Sequence, residues 1–209
     1  MLIFSKDFDF STEQHDWIPG FSDYPAGPDD SARFELRYSY TEPVSPSKLT
    51  KRSVMLSGNN LNRDLFMYLK RKITGLKPDT DYTITFSVEL ASDLNPSQYS
   101  PTSGSVYLKA GATASEPESI VQSGSHILNI DKGENNSAGE DVVTLGDILT
   151  PEISTGYTLV NLNNTMTNRR FVTRTNADGE LWLIIGTDSN LAGTTSVYYT
   201  RINVVFSAS

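Results

Sequence analysis

The chain has 209 residues, with 25 acidic against 17 basic side chains, a net charge of -8 and no cysteine. The acidic balance excludes a phosphate-tracking surface, which needs clustered Lys and Arg, so no nucleic-acid partner is expected. Missing thiols exclude disulfides, thiolate metal sites and a cysteine nucleophile.

With 10% aromatic and 20% charged residues, 14 Gly and 10 Pro, residues 1–209 read as one ordered, turn-rich β domain. The opening MLIFSKDFDF lacks the basic and then long apolar run of a signal peptide. No stretch is apolar enough for a transmembrane helix, so neither a cleaved signal nor a membrane span is expected in this chain.

In chain order, alternation predicts a first strand over Ile3 to Phe10, with Phe4, Phe8 and Phe10 opposite Asp7 and Asp9. The segment DWIPGFSDYPAGPDD, Asp16 to Asp30, is too broken by proline for regular structure and too apolar for a linker. It reads as an ordered flap. Ala32 to Thr41 is predicted as a strand that EPVSPSK ends, Arg52 to Ser57 as a short strand, and Gly58 to Asn60 as a turn.

The stretch Asp64 to Ser92 reads as a long hairpin. Its second strand alternates Tyr82, Ile84, Phe86, Val88 and Leu90 with Thr83, Thr85, Ser87 and Glu89, and Gly75 to Asp79 supplies the turn. A long polar loop, Ser92 to Gly104, is a candidate functional loop. Strands follow at Ser105 to Ala112, Ile127 to Ile130, Val142 to Ile148, Tyr157 to Leu162, Arg170 to Thr175 and Glu180 to Gly186. The last two are joined by NADG as a tight hairpin. GTDSNLAGTTS reads as a loop and Val197 to Phe206 as the final strand. This pattern predicts an all-β, two-sheet antiparallel β-sandwich with jelly-roll topology.

The run LKPDTDYTITFSVELAS resembles the GL-x-P-x-T-x-Y hairpin of bacterial extracellular β-sandwich modules. GELWLIIGTDSNLAGTTSVYYTRINVVF resembles the closing strands of galactose-binding-like and carbohydrate-binding-module jelly rolls. Together with DFDFSTEQHDWIPGFSDYP, the chain resembles a bacterial jelly-roll family of that kind. The resemblance implies a non-catalytic module that binds a carbohydrate at the cell envelope or outside the cell. A structural or adhesion domain docking a protein partner is the alternative, and a polysaccharide-active enzyme a third reading.

Such jelly rolls often hold a structural Ca²⁺ between the first and last strands. Asp7 and Asp9 fit that pattern, but Thr200 stands where an Asp belongs, so no cofactor is expected and a Ca²⁺ is only weakly supported. Loop oxygens at Asp131, Glu134, Asp141, Asp93, Asp188 and Asn190 do not match a spaced calcium loop and read as solvated turns. His15 and His126 lie far apart in sequence, and no spacing singles out a catalytic pair.

The candidate ligand surface comes from alternation. With Leu65, Met67, Leu69 and Ile73 facing the core, Phe66, Tyr68, Lys70 and Lys72 face away, and Tyr107, Lys109 and Trp182 repeat the theme. These seven residues would form an aromatic and basic platform for a glycan, or a second buried face. Arg71, on the core side, calls for a carboxylate or an exposed strand end.

Overall fold

The structure, a computed structural model, describes residues 3–43, 51–95, 104–150, 156–167 and 169–208. The EPVSPSK stretch from residue 44 onward and most of the Ser92 to Gly104 loop lie outside them. Among the described residues no helix is long and apolar enough to cross a membrane.

Two antiparallel sheets face each other across one core. The larger sheet runs, from edge to edge, β12 (Thr158–Asn163), β7 (Asp81–Ser92), β15 (Gly193–Ala208), β5 (Ser53–Asn60) and β4 (Arg37–Thr41). β1 (Ile3–Asp9) joins it beside the second half of β15, and β13 (Phe171–Arg174) beside the start of β7. The second sheet runs β11 (Val142–Asp147), β8 (Val106–Thr113), β14 (Leu181–Ser189), β6 (Leu65–Ile73) and β2 (Ile18–Ser22). A small sheet of β3 (Tyr24–Pro25), β10 (Ser125–Leu128) and β9 (Ser119–Gln122) lies outside this pair. A single turn of helix, α1 (Asp30–Arg33), completes the fold. This is the predicted antiparallel β-sandwich.

The two strands of the expected Asp64 to Ser92 hairpin do not pair. β6 bonds β2 and β14, whereas β7 bonds β12, β13 and β15. The chain crosses from one sheet to the other at Gly75 to Asp79, and the apolar rows meet face to face. Leu65, Met67 and Leu69 share one core with Ile84, Phe86 and Val88. Alternation identifies a strand and its buried face, but a core-facing row is satisfied equally by a neighbour in the same sheet or by a sheet opposite.

The NADG connection repeats the device, since β13 pairs β7 and β14 pairs β6 and β8. The two crossings interlock. Leu76 N–H donates to Gly179 O at 3.1 Å and Asp79 N–H to Asn176 O at 3.1 Å. Gly179 sits at φ 70° with no room for a Cβ, which would lie 2.1 Å from Leu76 O.

Three more expectations are corrected. The Asp16 to Asp30 flap contains β2, an edge strand on β6 in which Pro19 is tolerated because one side has no partner. Residues 32–36 are not strand: α1 and Glu35, at φ 50°, break the alternation before β4 begins. Gly58 to Asn60 and most of GTDSNLAGTTS belong to β5, β14 and β15, which pair through Gly193↔Asn60. Gly58 is strand, paired with Thr195, and is glycine where a Cβ would lie 2.6 Å from Leu65 Cδ2.

Candidate functional site

The outer face of the second sheet carries the seven sequence-predicted site residues, and most of them are covered. Phe66, Tyr68 and Lys109 are 0%, 2% and 0% exposed, and Lys70 is buried as well. Phe66 and Tyr68 stack at 5.6 Å and form a small second core with Leu128, Val142 and Ile184. The β9–β10 hairpin and the Asp131 to Asp141 loop supply the cover. Only Tyr107, Lys72 and Trp182 reach solvent, in part. Lys70 and Lys72 lie 5.6 and 5.7 Å from the Trp182 ring, and they pair with Glu116 and Glu180. In this structure the seven therefore present no single open platform; charge was a poor guide here because both buried lysines have partners.

Those partners form a buried ion network. Lys109 Nζ reaches Asp188 Oδ2 at 2.9 Å and donates to the Lys132 and Ser137 carbonyls at 2.9 and 3.0 Å. Lys132 Nζ bridges Asp188 and Asp23, each at 3.0 Å, and stands over the Phe66 ring at 5.3 Å. Burial pushes the Lys109 ammonium below its usual range against the pull of Asp188. Lys132 is held above its usual range because Asp188 and Asp23 outweigh its own burial. The acidic loop is self-bonded. Asp131 accepts the Gly133 and Glu140 amides, each at 2.9 Å, and Asp141 accepts that of Asp131. No group of three or more carboxylates or histidines suited to a metal occurs among the described residues.

Asp64 borders this network, and its carboxyl is pushed up to about 6 by burial and then by Asp23. The folded state therefore keeps a proton that the unfolded chain gives up near pH 4. Stability is lost as pH rises from about 4 through 6, and Asp64→Asn should recover about 1 kcal/mol above pH 7, allowing for screening of this exposed residue. Urea midpoints of both proteins at pH 4 and pH 7.5 test it; a gain that is no larger at pH 7.5 contradicts the assignment.

Arg71 finds two partners. Its guanidinium lies 5.0 Å from the centroid of the Phe8 ring and 3.6 Å from Asp16.

The opposite face, on the larger sheet, is open and polar. Strand register aligns β12, β7, β15 and β1 so that Asn161, Glu89, Arg201 and Asp9 form one cross-strand row. Asn163, Ser87, Asn203 and Asp7 form the next. At ordinary strand spacing each row is about 14 Å long. Two cavities of about 240 and 230 Å³ open along these rows and share Glu89 and Arg201. A third, of about 210 Å³, lies farther along β7 at Thr83, Thr85 and Arg170.

The groups are held in place by one another. Arg201 Nε donates to Asp7 Oδ1 at 2.8 Å and Nη2 to Asp7 Oδ2. This pairing keeps the Asp7 carboxyl below its usual range and raises Arg201. A bulge in β15 between Tyr199 and Arg201 turns Thr200 so that its hydroxyl donates to Glu89 Oε1 at 2.7 Å. Asp9 Oδ1 accepts the Ser11 amide at 2.9 Å, and the Ser11 hydroxyl, followed by that amide, lowers its pKa. Leu159, 39% exposed, adds an apolar patch at one end.

Asp7, Asp9 and Thr200, the places to look for an interstrand Ca²⁺, are thus tied into this face through Arg201, Ser11 and Glu89. Beyond Asp7, Asp9 and Thr200, the residues of this face do not stand out in sequence because they are the ordinary polar half of an alternating strand. The signal was the coincidence of Asn, Asp, Glu and Arg at register-matched positions, which requires knowing the strand order.

A scan against protein-family models finds no match, and no curated protein matches significantly in sequence. The structure is similar to a mannan-recognising carbohydrate-binding module, at 11% identity and TM-score 0.45 over 98% of both chains. It is also similar to a xylan-binding domain from Paenibacillus barcinonensis, at 10% identity and TM-score 0.38 over 96% of this chain and 92% of that one. Against the enzymatically active domain of tailspike protein 4 of bacteriophage CBA120, at 8% identity and TM-score 0.38, it covers 90% of this chain and spans 19% of that one. The solved structures similar in fold are mostly carbohydrate-binding modules of the β-sandwich type.

Proposed function

We propose that the chain is a non-catalytic carbohydrate-binding module acting at the cell envelope or outside the cell, with its ligand on the outer face of the larger sheet. The observation that supports this reading is the pair of register-matched rows, Asn161·Glu89·Arg201·Asp9 and Asn163·Ser87·Asn203·Asp7. Amide, carboxylate, guanidinium and hydroxyl groups on adjacent strands match the density of donors and acceptors on a sugar chain, and their fixed orientation limits the entropy lost on binding.

Glycan-array screening followed by calorimetric titration tests the reading. Arg201→Ala and Glu89→Gln should each weaken binding about tenfold or more, the scale of a lost charge-assisted hydrogen bond. The urea midpoint of each variant should match that of the parent, because the pairs are at the surface. Unchanged affinity in both variants would move the ligand off this face.

A protein-docking role has one observation in its favour: β9 is a free sheet edge with Ile120 and Val121 exposed at 39% and 64%. Array silence together with a partner lost on Val121→Lys would favour that reading.

A further inference from the structure

The cavity beside Asp9 holds an excess of positive charge that the rest of the chain does not. Lys51, Arg52 and Arg201 line it against Asp9 and Glu89, in a protein with more acidic than basic residues overall. Its charges differ in how they are satisfied. Arg201 is paired with Asp7 outside the cavity, Glu89 accepts the Thr200 hydroxyl, and Asp9 accepts the Ser11 amide. Lys51 and Arg52 are exposed, and neither makes an ion pair among the described residues.

Arg52 is nonetheless held in place. Its guanidinium lies 5.2 Å from the centroid of the Tyr40 ring, and the next residue, Ser53, starts β5 and bonds Thr41 O. Two adjacent cations without a close ion pair among the described residues, Lys51 acting on Asp9 only through its field and Arg52 steadied by an aromatic ring, thus stand at the end of a groove whose remaining polar groups are already oriented. Guanidinium and ammonium groups in this state gain most from a carboxylate or a sulfate oxyanion.

We propose that the ligand is a glycan bearing an anionic substituent, a uronate carboxylate or a sulfate ester, seated against Lys51 and Arg52. This rests on the carbohydrate-binding reading and adds the class of sugar. Neutral hydroxyls along the chain meet the Asn161 to Asp9 row, and the anion fixes the register of the chain in the groove. The carboxylates of the groove keep their own partners and need not be displaced.

The test is an array of neutral, uronate-bearing and sulfated chains, followed by titration of the strongest binders against Lys51→Gln/Arg52→Gln. The expected result is that binders carry anions and that the double variant weakens them at least tenfold. Methyl esterification should have the same effect where the anion is a uronate. A charge-matched control, Lys77→Gln/Arg63→Gln, should leave affinity unchanged, and the urea midpoint of each variant should match the parent.

Binding confined to uronate chains, or to sulfated chains, supports the inference and identifies the source of the charge. Neutral binders that respond to Arg201→Ala but not to Lys51→Gln/Arg52→Gln overturn it while leaving the carbohydrate reading intact. Silence across the array from folded protein overturns both.

Discussion

Asp188→Ala will lower the free energy of unfolding by about 3–5 kcal/mol, the scale of breaking a buried ion pair by removing one partner. Lys109 and Asp188 are both 0% exposed, and without the carboxylate the Lys109 ammonium keeps only two carbonyl acceptors and no direct ion-pair partner. Lys132→Met will cost less, because Lys109 still neutralises Asp188 and the group left unpaired, Asp23, is nearer the surface. Lys109→Met/Asp188→Leu should recover much of the loss, since an apolar pair in the same volume carries no desolvation cost. Urea denaturation of the four proteins at pH 7 measures all of this. An Asp188→Ala variant within about 1 kcal/mol of the parent would mean that the network does not hold the cover of the second sheet.

That network also explains what could and could not be read from residues alone. Most core strands announced themselves, although β2 was hidden in the flap: Tyr82, Ile84, Phe86 and Val88 are fully buried where alternation places them. Strand partners did not, because the period of a strand fixes which face is buried and not which sheet lies beyond it. Hence β6 and β7 looked like a hairpin although they sit on opposite sides of the core.

The same gap misplaced the ligand surface. Phe66, Tyr68 and Lys109 alternate away from the main core as expected, but a second layer lies over them, and its anchor is Lys132 in a loop that sequence marks only as polar. Conversely, Asn161, Glu89, Arg201 and Asp9 come from four separated segments. Asn161, Glu89 and Arg201 are unremarkable in their own strands and Asp9 stands out only as part of a calcium pattern, and only the register Asn161↔Glu89↔Arg201↔Asp9 makes them a row.

Tyr82→Ala should be comparably damaging, at about 3–5 kcal/mol, by the mechanism of large-to-small replacement in a packed core. The ring is fully buried and meets Phe206 edge to face at 6.3 Å. Its hydroxyl is used as well, since Lys77 N–H donates to Tyr82 Oη at 3.0 Å. That bond fastens the crossing between the sheets from within, five residues back along the chain.

Thr175 fastens the same crossing from the neighbouring connection. Its hydroxyl donates to Lys77 O at 2.7 Å and accepts the Thr80 amide at 2.9 Å. Tyr82→Phe keeps the packing and removes only the acceptor of the Lys77 amide, so it should cost about 1–2 kcal/mol. Tyr82→Phe/Thr175→Val should cost less than the two single changes combined, because each fastening holds the Lys77 backbone in place for the other and removing either already weakens both.

Thermal and urea unfolding of the series separates ring from hydroxyl. If Tyr82→Phe were as stable as the parent and Tyr82→Ala were not, the ring alone would matter and the crossing would be set by Gly75, Gly179 and Thr175. If Tyr82→Phe shows the expected loss, the Y of the LKPDTDY run acts as a clasp between sheets, at a connection whose residues alone read as the turn of a hairpin.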